Sequence, residues 1–190
     1  MISNFETLKH LNESDMEKAK IELNEPDQEQ IEKDVKKLRN WILKQTYMKS
    51  RVDDQFLLQF LRHSKFDFEK AKELILTFWT NRLDAVEYFI ARNLNEDSVL
   101  LEIAEAAFIV PLPEPDEYGR IVLIERIAGW NPQKHDYNDL MKYILICHDV
   151  LCENPRAQIN GVSRNFSDDG KNFLILIFFP GGFTFRLYIL

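Results

Sequence analysis

The stretch "DDQFLLQFLRHSKFDFEKAK", residues 53–72, decides the fold of the first half of the chain. Its first part crowds large apolar side chains together, more than a solvated helix carries. They are Phe56, Leu57, Leu58, Phe60 and Leu61. Three basic residues, Arg62, His63 and Lys65, follow at once. We therefore predict a mostly buried helix with a basic cluster at its end.

Helices are also predicted on either side of this stretch. After Pro26, the segment "DQEQIEKDVKKLRNWILKQ" has acidic residues early and basic residues late, as the helix dipole favours. Its apolar residues form one stripe, Ile31, Val35, Leu38, Trp41 and Ile42. This pattern predicts an amphipathic helix.

Aspartates mark the starts of the next two helices. Asp54 is the predicted cap of "QFLLQFLRH", and Asp67 that of a third helix. The third helix repeats apolar residues at helical spacing, namely Ala71, Leu74, Ile75, Phe78 and Trp79. A shorter fourth helix is predicted at about residues 98–107. We assign 1–25 to an N-terminal segment that is helical or partly flexible, and 26–107 to a helical domain.

The amino-acid composition changes at Val110. The run "VPLPEPDEYGR" is rich in proline and predicts a turn at a domain boundary. "RIVLIER" then predicts a strand, and "AFIV" is its candidate hairpin partner. Asp136 is expected to cap a long helix that Pro155 ends. The fold class is therefore helix-rich α/β.

Composition excludes several classes of protein. The chain has 190 residues and a net charge of −7, which argues against nucleic acid as the main partner. The N-terminus lacks the apolar core of a signal peptide, and the apolar run 173–179 is too short to span a bilayer as a helix. Cys147 and Cys152 fall on different faces of a helix, so we expect reduced thiols and an intracellular protein.

No pattern typical of a catalytic or metal site is present. The chain contains no Gly-rich phosphate loop, no Gly-flanked serine elbow and no His-Glu-x-x-His spacing. "HDYND", residues 135–139, and "CHD", residues 147–149, contain residue types used in catalysis. Asp136 and Asp139 suit a helix start, however, and Cys147 suits a buried position. We predict no enzyme, no catalytic residue, no metal and no cofactor.

The sequence, with its elements in this order, resembles one known protein family. "DDQFLLQFLRHSKFDFEKA" is similar to the N-terminal helical signature of the CRAL-TRIO family of lipid-transfer proteins. "GRIVLIERIAGWNPQ" and "ENPRAQINGV" resemble the opening strand, the Trp-Asx-Pro loop and the helix-to-strand turn of that family's lipid-binding lobe. The resemblance covers roughly residues 22–162, and it implies a partial lipid-binding domain over 108–162.

The last segment, residues 163–190, departs from the family pattern. We interpret it as a divergent hydrophobic tail on a truncated lobe, from an alternative or read-through exon or a gene-model error. "FLILIFF" and "FTFRLYIL", joined by Pro-Gly-Gly, predict two strands that dock imperfectly on "RIVLIER". Such a tail is expected to promote aggregation.

The resemblance implies binding and transfer of a small hydrophobic ligand of the tocopherol, retinoid or phospholipid type. Family members line the pocket with the helix that follows Asp136. The matching stripe here comprises Met141, Ile144, Leu145, His148 and Cys152. His148 is then the candidate partner of the ligand's polar end. From spacing alone, the same stripe is also expected of an ordinary core helix.

The resemblance also implies contact with phosphoinositides, including phosphatidylinositol bisphosphate, through Arg62 and Lys65. The alternative is that both side chains only pair with acids such as Asp53, Asp54 or Asp67. We expect a cytoplasmic monomer that associates peripherally with membranes. The alternative function is that of a protein-interaction module without transport, or of a non-functional truncated isoform.

Overall fold

The computed structural model describes residues 8–167. They divide into two compact units, residues 11–79 and residues 80–167 together with 8–10. In chain order the helices are α1 (Glu13–Leu23), α2 (Gln28–Leu43), α3 (Asp54–His63), α4 (Phe68–Asp84), α5 (Ser98–Glu105), α6 (Tyr137–Cys152) and α7 (Pro155–Asn160), and the strands are β1 (Ile109–Pro111), β2 (Ile121–Arg126) and β3 (Val162–Ser167). Short 3₁₀ turns lie at Val86–Tyr88 and Ile127–Gly129.

The helical unit, residues 11–79, begins its helices at short polar side chains. The side chain of Asp27 accepts a hydrogen bond from Gln30 N at 2.9 Å and caps α2, and Asp67 accepts from Lys70 N at 3.2 Å at the start of α4. The predicted cap of α3 was one residue too late. Asp53 accepts from Phe56 N at 3.1 Å, and Asp54 is the first helical residue.

The core of the helical unit is aromatic. Phe56 lies edge-on to Phe60 at 5.1 Å and to Phe78 at 5.6 Å, and Phe78 meets Trp79 at 5.2 Å between ring centres. Edge-to-face pairs of this kind contribute about 0.5–1.5 kcal/mol beyond their burial. Residues 53–72 therefore supply the centre of this core, as predicted. Leu58 differs, because it is only partly buried.

The second unit is built on a three-stranded sheet in the order β1-β2-β3. β1 pairs antiparallel with β2, with Ile109 opposite Glu125, which confirms "AFIV" as the hairpin partner. β3 pairs parallel with β2, with Ile121 opposite Val162. The helix-rich α/β class is thereby confirmed.

Strand β3 extends into the first residues of the chain's last segment. Residues 163–167, assigned to the divergent tail, continue a six-residue strand in register with β2. Gly161, at φ +84°, makes the turn from α7 into this strand, a backbone conformation that favours glycine. β1 and β3 therefore occupy both edges of β2. The predicted hairpin of "FLILIFF" and "FTFRLYIL" lies outside the described residues.

The hydrophobic core of the second unit joins α5 and α6 to the sheet. Leu100 and Ile103 of α5 are fully buried in the same cluster as Ile121 and Leu123 of β2. The compact units divide between residues 79 and 80, and the buried face of α5 packs in the cluster that holds the sheet. The domain boundary expected at residues 107–108 stays a prediction.

Two local features position α6. At its start, Asp136 accepts a hydrogen bond from Asp139 N at 2.9 Å, as predicted. At its end, Glu153 is the C-cap residue. Asn154 then caps α7, and Pro155 is the first residue of that helix. The prediction that Pro155 ends α6 is therefore replaced by a different role, because proline fits the first turn of a helix, where no backbone donor is needed.

Candidate ligand-facing helix and its charged surroundings

Helix α6 carries two adjacent stripes. One is the core-facing stripe of Leu140, Tyr143, Ile144, Cys147 and Leu151, which all belong to the hydrophobic core. The other follows the 4-3-4 spacing of Met141, Leu145, His148 and Cys152, which keeps four side chains on one face of a helix with 3.6 residues per turn. We call this second set the His148 stripe.

The residues predicted to line a pocket do not share one environment. Met141 and Ile144 lie in the core cluster, at 8% and 1% exposure. Leu145 is buried outside that cluster, and His148 and Cys152 are partly buried. The structure thus brings Met141, Leu145, His148 and Cys152 onto one face and turns Ile144 towards the core. Their role in ligand binding stays a prediction.

The thiols on α6 have no features of a nucleophile. Burial raises the pKa of Cys147 to about 12, and burial also raises the pKa of Cys152 to about 12. A thiol in such surroundings stays protonated at neutral pH and is inert. Both cysteines are free, and the expected buried position of Cys147 is confirmed.

His148 is uncharged at neutral pH. Burial, with a smaller contribution from the nearby Arg164 guanidinium, lowers its pKa to about 3. A neutral imidazole has one N–H donor and one nitrogen acceptor, so it suits a hydroxyl or carbonyl partner. This side chain therefore combines hydrogen-bonding capacity with apolar neighbours on its own helix face.

A buried ion pair connects strands β2 and β3. The Arg164 guanidinium contacts the Glu125 carboxylate, and the two side chains are 12% and 2% exposed. Burial raises the pKa of Glu125, and Arg164 opposes that shift. Glu125 and Arg164 also influence the pKa of Cys147 on α6. The sheet thus presents charged groups towards α6.

A second charged cluster surrounds Asp149 on α6. The guanidinium of Arg82 contacts one carboxylate oxygen, and Nη2 of Arg92 donates to the other at 2.8 Å. Both guanidinium groups also lie over the Phe89 ring, at 4.6 and 4.8 Å from its centre. Cation–π contacts of this kind contribute about 0.5–2 kcal/mol. The cluster connects α6 to the last turn of α4 and to the segment that follows it.

Neither charged cluster was predicted. A signal existed for Glu125, because strand alternation places it on the same face as the apolar Ile121 and Leu123. A charge at such a position needs a buried partner. No comparable signal existed for Arg82 and Arg92, whose partner Asp149 lies 67 and 57 residues away in sequence.

The residue types flagged in "HDYND" have structural roles. His135 is buried, and its Nε2 lies 3.1 Å from Glu102 Oε2. Its backbone carbonyl accepts a hydrogen bond from Trp130 Nε1 at 3.1 Å, which closes the Trp-Asn-Pro loop. Gly129, before this loop, has no room for a side chain, because a Cβ there would lie 2.8 Å from Ala106 O.

The two residues predicted to contact phosphoinositides differ sharply. Arg62 is buried and forms a two-pronged ion pair with Glu25, with Nε–Oε2 at 2.8 Å and Nη2–Oε1 at 2.7 Å. Its partner is thus Glu25, and not one of the three acids expected from the sequence, Asp53, Asp54 and Asp67. Lys65 is exposed and follows α3 with a left-handed backbone at φ 56°. Only Lys65 presents its charge to solvent.

Residues 8–167 also bear on two other classes of site, metal centres and membrane-spanning helices. In that range, no group of three or more His, Cys, Asp and Glu side chains is arranged to hold a metal ion. Nor does any helix within it combine the length and apolar character needed to cross a bilayer.

A helical unit and a small mixed sheet, with a long apolar helix in the core of the sheet unit, define a helix-rich α/β protein. A family profile described as "Pinta-like, UBA domain" matches residues 27–99. Rat clavesin-1 is 33% identical over 151 residues, which is 77% of this chain and 41% of clavesin-1. The mouse protein named alpha-tocopherol transfer protein-like is 31% identical over 153 residues, 80% of this chain and 43% of the relative.

Human clavesin-2 is 28% identical over 148 residues, 77% of this chain and 44% of the relative. The chain belongs to the CRAL-TRIO family, which confirms the resemblance seen in the sequence. It spans less than half the length of these curated relatives.

Proposed function

We propose that this chain binds a small hydrophobic molecule with a neutral polar end and carries it between membranes. The ligand class is a tocopherol, a retinoid or a phospholipid. Similarity to a protein whose name includes alpha-tocopherol transfer supports this class. No covalent chemistry is proposed, since the α6 thiols have high pKa values, Asp136 caps α6 and Asp149 is paired with two arginines.

The observation that carries the proposal is the chemistry of the His148 stripe. Met141, Leu145 and Cys152 supply an apolar face, and His148 supplies one neutral polar group within it. Ligand sites combine mostly apolar walls with a few polar groups that fix orientation. Because His148 is uncharged, a hydroxyl or carbonyl end fits it better than a carboxylate does.

Membrane contact in this proposal includes anionic phosphoinositides, with Lys65 as the contacting residue. Arg62 is left out because its guanidinium is already engaged by Glu25. Lys65 is exposed and forms no ion pair with the described residues. A single lysine near an anionic surface contributes about 1 kcal/mol, so contact through Lys65 alone would be weak and sensitive to salt.

The test is native mass spectrometry of the full chain purified from cells, followed by titration with α-tocopherol and with retinaldehyde. We expect a co-purified lipid, and we expect His148→Leu to weaken binding of the preferred ligand about tenfold, the value of one hydrogen bond lost in a dry site. His63→Leu is the matched control, because His63 is exposed on α3 and should leave affinity unchanged.

An apo mass together with no measurable affinity for either ligand or for a phospholipid would reject the carrier. That result would support the alternative, a protein-interaction module without transport or a non-functional isoform. Equal affinity of the His148→Leu variant and the parent chain would reject only the role of His148. Melting temperatures of all variants are compared, so that unfolding is not mistaken for lost binding.

A further inference from the structure

The connection between α2 and α3 carries a positive charge that contrasts with the rest of the chain. Residues 35–52 contain six Lys and Arg residues and no Asp or Glu, although the whole chain has a net charge of −7. These basic residues are Lys36, Lys37, Arg39, Lys44, Lys49 and Arg51. A local positive field of this kind favours an anionic partner.

Three of these cations are engaged within the helical unit. Arg39 contacts Asp54, Arg51 pairs with Asp53 at 3.0 Å, and the Lys37 ammonium lies 4.0 Å from the centre of the Phe68 ring. The other three, Lys36, Lys44 and Lys49, are exposed and form no ion pair with the described residues. They are therefore available to an external anion.

Two large apolar side chains lie among these lysines and face solvent. Leu43 is 66% exposed and Tyr47 is 72% exposed. Neither supports the core, because the neighbouring Ile42, at 2% exposure, is the buried residue at this end of α2. An exposed Leu and Tyr between lysines form a compact amphipathic surface. We call residues 43–49 the basic tip.

The basic tip is held in place from both sides. Gln45 Nε2 donates to Trp41 O at 3.0 Å, and Trp79 Nε1 donates to Ser50 Oγ at 2.9 Å. Arg39 Nε donates to Val52 O at 2.9 Å. A surface fixed before binding loses little conformational entropy when a partner arrives.

We propose that the basic tip is a docking surface for anionic lipid bilayers, with Lys44 and Lys49 at the head groups and Leu43 and Tyr47 in the interfacial layer. A bilayer offers a continuous negative surface and an apolar interior beneath it. Tyrosine favours the head-group level, where its ring and hydroxyl meet different surroundings. A nucleic acid would satisfy the lysines but offers no apolar interior for Leu43.

This inference rests on the proposed function only in that a carrier must reach a membrane. It adds a surface in the helical unit that is separate in sequence from Lys65 and from the His148 stripe. Docking by the basic tip requires no ligand in the chain. The carrier proposal and the docking proposal can therefore fail independently.

The experiment is sedimentation of the full chain with phosphatidylcholine vesicles, with and without phosphatidylserine. We expect binding only with phosphatidylserine, and weaker binding as salt rises. Lys44→Ala with Lys49→Ala should lower the partition coefficient about 25-fold, since each basic residue near an anionic surface contributes about fivefold. Leu43→Ser with Tyr47→Ser should also lower it, but should leave its salt dependence intact.

The matched control is Lys20→Ala with Lys33→Ala, which removes the same charge from exposed positions on α1 and α2. It should bind as the parent chain does, and Lys65→Ala measures the separate contribution of Lys65. Equal binding to both vesicle types, or parental binding by the Lys44/Lys49 variant, would overturn the proposal. Parental chain that ignores phosphatidylserine but binds single-stranded RNA through these lysines would assign the tip to nucleic acid instead.

Ligand loading is measured on the same samples by mass spectrometry. The Lys44/Lys49 variant should keep the loading of the parent chain. Vesicle binding by a chain that carries no ligand would preserve this inference while the carrier proposal fails. A loaded chain that ignores anionic vesicles would do the reverse.

Discussion

The helical unit and the sheet unit are stabilised differently. In the helical unit, the aromatic groups of Phe56, Phe60 and Phe78 fill the centre, and two of them are four residues apart on one helix. In the sheet unit, buried charges share the interior with apolar groups, as Glu125 and Arg164 do across two strands. The first arrangement is built largely from near neighbours in sequence. The second depends on partners 39 residues apart.

This difference determines how each unit responds to substitution. An apolar core loses stability when a charge enters it, because the charge has no partner there. A core that already holds an ion pair loses stability when one partner is removed, and recovers when both are replaced by apolar groups. Two substitution series, one in each unit, therefore test whether the contrast is real.

The largest effect is expected for Leu61→Asp in α3. Leu61 is 1% exposed, so an aspartate there would be buried without a partner, at a cost of several kcal/mol out of the about 5–15 kcal/mol that a domain has. We expect the helical unit to unfold, with loss of helical circular dichroism and of cooperative melting. Leu58→Asp is the control, because Leu58 is partly exposed and its aspartate can remain hydrated.

A Leu61→Asp protein with the melting curve of the parent chain would contradict the assignment of Leu61 to the core. Equal damage from both variants would mean that α3 is buried all round, as the sequence alone suggested. The pair therefore decides which face of α3 meets solvent.

The second-largest effect is expected in the sheet unit, for Glu125→Leu in β2. Glu125→Leu leaves the Arg164 guanidinium buried without its carboxylate, which should cost about 3–5 kcal/mol of unfolding free energy in urea titration. Glu125→Leu combined with Arg164→Met should recover most of that loss, because an apolar pair of similar size needs no charge compensation. If the double variant is as unstable as the sum of the single ones, the two side chains do not interact.

The same contrast explains what the sequence predicted and what it did not. The helices of residues 28–43 and 68–84 follow from apolar periodicity and from caps within a few residues, so local patterns were sufficient. Strand β2 and its partner β1 could also be predicted from local patterns, since both are rich in β-branched residues. These elements reflect interactions between near neighbours.

Features that depend on distant partners were missed. For Arg62 the sequence left open contact with anionic head groups or pairing with Asp53, Asp54 or Asp67, because its actual partner, Glu25, lies 37 residues earlier. The resemblance implied a helix-to-strand turn over residues 153–162, but residues 163–167 of β3 were assigned to the tail, because a parallel pairing with β2 leaves no turn signal between the strands. The pocket residues remain predictions, since helical spacing cannot distinguish a ligand-facing stripe from a core stripe.

The smallest effect concerns the start of α3, where the sequence and the structure disagree by one residue. Asp53 accepts a hydrogen bond from Phe56 N and pairs with Arg51, which lowers the pKa of its carboxyl group. Asp54 contacts Arg39 at the surface and caps nothing.

Asp53→Ala should therefore cost about 1 kcal/mol in urea titration, the usual loss for a helix cap, whereas Asp54→Ala should cost no more than an exposed ion pair, about 0–1 kcal/mol. Asp53→Asn keeps a capping oxygen without the charge and should recover most of the loss, which separates the cap from the Arg51 pair. A larger loss from Asp54→Ala than from Asp53→Ala would restore the sequence-based start of the helix, with Asp54 as its cap.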